Sequence, residues 1–307
     1  MEVWNSRIAQ KIRASILDGT FRYCDFSTCP YLQSNCLPLQ KGCIGSLYEG
    51  IVKERRTSLN KLSVSLAIDP ACNLKCIMCR KKSLTLSKKD KEKAKCVMEE
   101  VRKNLPHIDS ILLTGNGEPF VSVPIRNFLF NLDASLYPDF KLFLLTNGLL
   151  FNPENWDKMK AAQPAVRSVQ VSIDAASKET YEAIRLGGSF TILMDNLRFI
   201  SDLRQSGAIQ EFIISFVVNA LNFREMKDFV RLGMDLHCDQ IYFSFMSNWG
   251  TFSTEDYAKM AVHLPQHKDH GELVNLLRDP IFNSPKVFLG NLGSLKPNRI
   301  LSDSMFV

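Results

Sequence analysis

Cys72, Cys76 and Cys79 stand three and then two residues apart in the run Asp69-Pro70-Ala71-Cys72-Asn73-Leu74-Lys75-Cys76-Ile77-Met78-Cys79-Arg80. Three thiolates so spaced on one loop can hold three corners of a [4Fe-4S] cube and leave the fourth iron without a protein ligand. An iron left open in this way can bind a small molecule and react with it. A structural zinc site asks for a fourth Cys or His close by. None lies within ten residues of the run, and the nearest histidine is His107.

A second group, Cys24, Cys29, Cys36 and Cys43, falls among Pro30, Pro38 and two glycines, with no lasting periodicity between Phe21 and Gly45. Four thiolates can ligate a second, auxiliary [4Fe-4S] cluster completely, for electron transfer or structure. A four-cysteine zinc site and free thiols are the competing readings, although the x4, x6, x6 spacing is unlike the paired C-x2-C knuckles of zinc. Nine cysteines, seven of them between residues 24 and 79, make a poor disulfide framework and point to metal in a reducing compartment. Cys96 and Cys238 stand alone and read as buried apolar thiols. His263, His267 and His270 are also close in sequence, but Pro265 interrupts the helix a metal grouping would need, so they read as solvated surface histidines.

These residues need a scaffold, and the chain provides alternating short β-rich runs and longer amphipathic stretches. The spacing predicts strands over 62–68, 110–113, 141–145, 168–173, 211–218 and 240–245, with helices over 89–104, 178–184, 192–203 and 223–232. Such alternation argues for βα units around a parallel sheet with functional residues at the carboxyl ends of the strands. The expected fold is therefore α/β, a partial (β/α)6 barrel. A short helix over 7–17, with Ile8, Ile12 and Ile16 at helical spacing and Gly19 after it, opens the chain. The organisation expected is a cysteine-rich module at 1–50, a barrel core at 60–250, and a polar, proline-bearing C-terminal extension at 251–307.

The C-x3-C-x2-C run on a strand-to-helix loop resembles the signature of the radical S-adenosylmethionine superfamily, and further pieces follow in order across residues 62–250. The resemblance implies an enzyme in which Cys72, Cys76 and Cys79 ligate the cluster and S-adenosylmethionine binds the open iron. It is then split into methionine and a 5'-deoxyadenosyl radical that takes hydrogen from a substrate. Met78 takes the position near adenine. Leu113-Thr114-Gly115-Asn116-Gly117-Glu118-Pro119 is similar to the glycine-rich segment that receives the methionine amino group, with Gly117 and Glu118 the matching residues. Val171-Ser172-Ile173-Asp174 ends a strand where the family places a hydroxyl or carboxylate near the ribose, which nominates Ser172 and Asp174. Arg185 suits the methionine carboxylate, because its planar fork makes two hydrogen bonds at once. From the residues alone, Asp174 also reads as a helix cap and Arg185 as a solvated helix charge. Asn219 and Asn222 are further candidates, and Thr146-Asn147-Gly148 matches a family loop that also reads as a simple turn.

The segment around Cys24 and Cys29 looks like part of a SPASM-type auxiliary-cluster module placed before the barrel rather than after it. Asn248-Trp249-Gly250-Thr251-Phe252 with Arg278-Asp279-Pro280 resembles a SPASM-like subgroup that accompanies genes for cell-surface polysaccharides. The resemblance implies a small-molecule or peptide substrate and an electron donor such as flavodoxin or ferredoxin.

Composition fits this reading. A net charge of +6, from 38 basic and 32 acidic residues, is too weak for a dedicated nucleic-acid binder, and no run is long enough to span a membrane. With no basic-then-apolar leader at the N-terminus, a cytoplasmic location is expected. The reading from a different class is a zinc-binding structural or interaction module in which the clustered cysteines do no chemistry.

Overall fold

The computed structural model describes residues 5–25, 32, 44–45, 49–56, 62–82, 84–113 and 116–296. The chain divides into two compact units, Met1–Leu62 and Ser63–Val307.

In the first unit, α1 (Arg7–Leu17) begins where the Ser6 hydroxyl accepts from the Ala9 N–H, and it ends at Asp18 before Gly19 turns left-handed at φ 74°. The isoleucine stripe that announces this helix is exposed, Ile8 at 71%. A second helix, α2 (Glu49–Glu54), follows, and its Glu49 carboxylate accepts from the Gly45 N–H. Cys24 is half-buried. Cys29, Cys36 and Cys43 lie outside the described residues, as does Trp4.

The second unit is built on a sheet that, among the described residues, has seven strands lying side by side in sequence order. They are β1 (Leu62–Leu66), β2 (Ile108–Leu113), β3 (Lys141–Thr146), β4 (Val166–Ser172), β5 (Glu211–Val218), β6 (Gln240–Phe245) and β7 (Val287–Phe288). Every neighbouring pair from β2 to β7 is parallel. Between them run α3 (Lys88–Asn104), α4 (Val123–Asn131), α5 (Pro153–Lys158), α6 (Lys178–Ile184), α7 (Phe190–Gln205) and α8 (Met226–Asp235). This is the expected α/β architecture of a partial barrel. The central strands read as near-continuous apolar runs because helices cover the sheet: Val169, Phe212, Ile214 and Ile241 are fully buried. Phe216, Phe229 and Phe243 pack together with ring centroids 4.8 to 5.7 Å apart. Gly233 lets α8 sit against the sheet, since a Cβ there would lie 2.5 Å from Ile241 Cδ1.

Segment 251–307 does more than its weak periodicity suggests. It contributes α9 (Thr254–Met260), α10 (His270–Leu276) and β7, which extends the sheet with Val287 opposite Ile241. A two-residue strand is too short to leave a period in the sequence. The histidines here are not the solvated set expected. His263 and His267 are buried, His263 stacks on Phe245 with centroids 4.2 Å apart, and His267 Nε2 pairs with the Lys259 carbonyl at 2.9 Å. Burial holds the His263 imidazole neutral, its pKa pushed down to about 4. Cys238 is buried as expected, but Cys96 is exposed, because the buried stripe of α3 is Ala94, Met98 and Val101. Among the described residues no helix is long and apolar enough to cross a membrane.

Candidate active site

A parallel sheet gathers the ends of its strands along one edge, and the residues singled out above fall in the loops that leave that edge. The loop after β1 carries the three cysteines. The Asp69 carboxylate turns it by accepting from the Ala71 N–H at 3.0 Å, and two backbone bonds fasten it to the end of α6 and the residues just beyond: Ile77 N–H to the Ile184 carbonyl and Lys75 N–H to the Leu186 carbonyl, both 3.0 Å.

The loop after β2 lies directly beneath. Thr114 and Gly115 lie outside the described residues. At Gly117 a Cβ would sit 2.3 Å from the Asp69 carbonyl oxygen and 2.6 Å from that of Ala71, so only glycine lets the two loops meet, and the Glu118 N–H donates to Ala71 at 2.8 Å. Gly117→Ala is expected to displace cysteine-loop backbone and cost about 2 kcal/mol. That corresponds to a melting point lower by about 5 °C for a unit of this size. An unchanged melting point would mean that the contact is not tight.

The Glu118 side chain is almost wholly buried, and burial pushes its pKa up to about 7 against the hydrogen bonds it accepts. Those come from the Thr146 hydroxyl at 2.7 Å and the Asn147 N–H at 2.8 Å, in the turn after β3. Asn147 then reaches the cysteine loop, its Nδ2 donating to Asn73 Oδ1 at 2.8 Å and lying 3.7 Å from Cys72 Sγ. Thr146-Asn147 is thus more than a turn.

At the end of β4, Ser172 shares a hydroxyl contact of 3.3 Å with Ser215. Asp174 adopts a left-handed φ of 66°, which aspartate tolerates better than most residues. Its Oδ1 accepts from the Val217 N–H at 2.7 Å and its Oδ2 pairs with Arg185 Nη2 at 2.5 Å. Asp174 is not the cap of α6: Ser177 is, accepting from the Thr180 N–H. Nor is Arg185 a solvated charge, since its side chain is 10% exposed and its Nη1 lies 3.6 Å from Cys76 Sγ. Burial opposes the guanidinium charge, but Asp174 and Cys76 outweigh it and hold Arg185 protonated. Asn219 and Asn222 serve the scaffold. Asn222 Nδ2 donates to the carbonyls of Asp174 and Val217.

Two residues at the site were not singled out by the sequence. Arg80 aims Nε and Nη2 at Cys79 Sγ, each at 3.4 Å, while its other bonds go to the Pro70 and Asn116 carbonyls. Thr251, beyond β6, donates to the Met78 and Cys79 carbonyls at 3.3 and 3.2 Å and fixes the end of the loop. Met78 itself is buried. A cleft of about 550 Å³ opens alongside, lined by Lys75, Ile77, Leu186, Thr251 and Phe252 among others.

Each of the three sulfurs therefore has an N–H donor from its own chain: Asn147 for Cys72, Arg185 for Cys76 and Arg80 for Cys79. Burial raises the thiol pKa of Cys72 and Cys76, with Arg185 working against it at Cys76. All-sulfur donors ringed by N–H groups and two guanidiniums suit an anionic iron-sulfur group, whose thiolates such donors stabilise. Among the described residues, no three His, Cys, Asp or Glu side chains gather on a single ion. A cube makes no such demand, because each thiolate binds a different iron.

Comparison with known proteins agrees with this chemistry. The pattern of the Radical SAM superfamily matches residues 67–233. AdoMet-dependent heme synthase of Methanosarcina barkeri is 31% identical over 133 residues, 41% of this chain and 35% of its own. GTP 3',8-cyclase of Geobacter sulfurreducens is 31% identical over 147 residues, 46% of this chain and 43% of its own. The chain spans about half or less of the length of such curated relatives. In fold it is similar to Streptococcus suis SuiB, with a TM-score of 0.54, 15% identity, and coverage of 100% of this chain and 66% of that one.

Proposed function

The chain belongs to the Radical SAM superfamily, a family of enzymes that use a [4Fe-4S] cluster and S-adenosylmethionine, and on that premise we propose that Cys72, Cys76 and Cys79 are its cluster ligands. When bound, that cluster would pass one electron to S-adenosylmethionine, giving methionine and a 5'-deoxyadenosyl radical that abstracts hydrogen from a substrate carbon. The observation that carries the assignment is the three-sulfur loop in which every sulfur has its own N–H donor.

The chain's own residues have the following parts in this reading. The Asp69 turn, the Gly117 contact and Thr251 hold the loop in one conformation, which fixes where the three thiolates stand. Asn147, Arg185 and Arg80 offset the thiolate charge. For S-adenosylmethionine the contact set is Met78, Gly117, Glu118, Ser172, Asp174 and Arg185. Arg185, whose Nη1 lies 3.6 Å from Cys76 Sγ, would pair with the S-adenosylmethionine carboxylate. Glu118 keeps lone pairs beyond those used by Thr146 and Asn147, and its carboxylate complements an ammonium. Burial of Cys76 and Met78 keeps water from that side of the loop.

The substrate is a peptide or a small molecule admitted through the cleft beside Thr251. The two curated relatives are named for heme and GTP chemistry, and SuiB supports the fold alone. Cys24, Cys29, Cys36 and Cys43, in a SPASM-like module at 1–50 ahead of a core at 60–250 and an extension at 251–307, would ligate an auxiliary cluster. An acidic flavodoxin or ferredoxin supplies the electron in the cytoplasm.

Anaerobic reconstitution tests the reading. A brown protein is expected, with about four irons and as many sulfides per chain, or about eight if the auxiliary cluster also forms. Its visible band should bleach with dithionite, and it should release 5'-deoxyadenosine from S-adenosylmethionine. A colourless protein that takes up zinc and leaves S-adenosylmethionine intact would overturn it.

A further inference from the structure

Between Arg80 and Lys95 the chain carries eight basic residues against two acidic ones, a net of +6 that equals the excess of all 307 residues. The rest of the sequence is balanced, so the protein's positive charge is this one strip. Arg80 is buried and committed to Cys79. Lys81, Lys82, Lys88, Lys89, Lys91 and Lys95 are exposed, while Lys93 pairs with Asp90 at 3.0 Å. On α3, Lys88, Lys91 and Lys95 share one stripe at i, i+3 and i+7, beside the buried Ala94 and Met98 that anchor the helix.

The strip begins one residue after Cys79, and Cys79 is the exposed member of the trio: Cys76 is buried and Cys72 half-buried. Its lysines are exposed rather than buried in the core, so their charge is turned to solvent. A single-sign patch concentrates and orients partners of opposite sign. Nucleic acid is the less favoured occupant, because residues 80–95 contain no Phe, Tyr or Trp on which a base could stack.

We propose that the Lys81–Lys95 strip docks an acidic one-electron carrier protein and brings its redox centre to Cys79, the outward-facing thiol. This rests on the cluster assignment given above. The step is a bare electron transfer: the carrier is oxidised by one electron, the iron-sulfur centre beside Cys79 is reduced by one, and no bond or proton changes hands.

The test uses the reconstituted full chain and its Lys88→Glu/Lys91→Glu/Lys95→Glu variant, with an acidic [2Fe-2S] ferredoxin as probe. Two measurements are made, binding of oxidised ferredoxin and 5'-deoxyadenosine formation driven by either reduced ferredoxin or dithionite. At about 50 mM salt the variant is expected to bind ferredoxin about tenfold or more weakly and to lose a similar factor in ferredoxin-driven turnover. The dithionite-driven rate should match wild type. At about 0.5 M salt the two proteins should converge, as screening removes the attraction. Equal ferredoxin binding by both proteins at low salt overturns the docking site, and so does a variant that loses only RNA retention. Failure of dithionite to drive cleavage in the wild type strikes instead at the cluster assignment, and the binding measurement still decides the docking surface.

Discussion

Cys76→Ala is expected to keep the fold and abolish the chemistry. Cys76 is the buried member of the three, with an exposure of 7%, and its sulfur is the one nearest Arg185. Removing it costs the fold only a small buried side chain, about 1 kcal/mol, so the circular dichroism spectrum should be that of wild type. The cluster would fall to two protein ligands. Loss of a residue that merely supports a metal ligand already costs 10- to 100-fold in metal affinity or activity. Loss of the ligand itself should exceed the top of that range, and 5'-deoxyadenosine formation should fall by about 100-fold or more. Iron per chain should drop from about four to well below one where the barrel site alone is loaded. Undiminished 5'-deoxyadenosine from this variant would remove the three-cysteine loop from the mechanism.

How far the sequence foretold this site depends on how far apart its partners lie along the chain. β5, β6 and α6 have the predicted bounds; β5 gives way to the polar Asn219 and α6 to Arg185. β4 begins two residues earlier than predicted, at Val166, where its register with β3 shifts after Leu142. That irregularity belongs to the pairing and leaves no mark on either strand alone. The cysteines were legible because their spacing is local. Their N–H donors were less so: Asn147 is 75 residues from Cys72 and Arg185 is 109 from Cys76, so only the fold can bring them together. Arg80 is a neighbour of Cys79 and was still missed, because the side chain of a loop arginine has no period to betray its direction. The exposure of Cys96 was readable, since it falls off the 94, 98, 101 stripe of its helix. That of His263 was not. Its burial is created by the face of Phe245, on another element.

Replacing Arg185 should be the most destabilising single change at the site. The guanidinium and Asp174 form an ion pair whose side chains are 10% and 1% exposed, so neither has water to fall back on. A buried pair of this kind adds little net stability over an apolar pair of the same shape, but breaking it strands a charge. Arg185→Met leaves the Asp174 carboxylate, among the described residues, with the Val217 N–H at 2.7 Å as its donor. The expected loss is about 3–5 kcal/mol, a melting point lower by about 10 °C. Asp174→Asn is the matching change, because asparagine keeps the volume and tolerates the left-handed φ of 66°. If stranded charge is the cause, Arg185→Met/Asp174→Asn should melt above Arg185→Met alone, with a coupling of about 1–3 kcal/mol. Strictly additive effects would show that the two residues act separately. The double variant also separates the two parts proposed for Arg185. Restoring stability does not restore a cation beside Cys76, so affinity for S-adenosylmethionine should remain low even in the protein whose melting point has recovered.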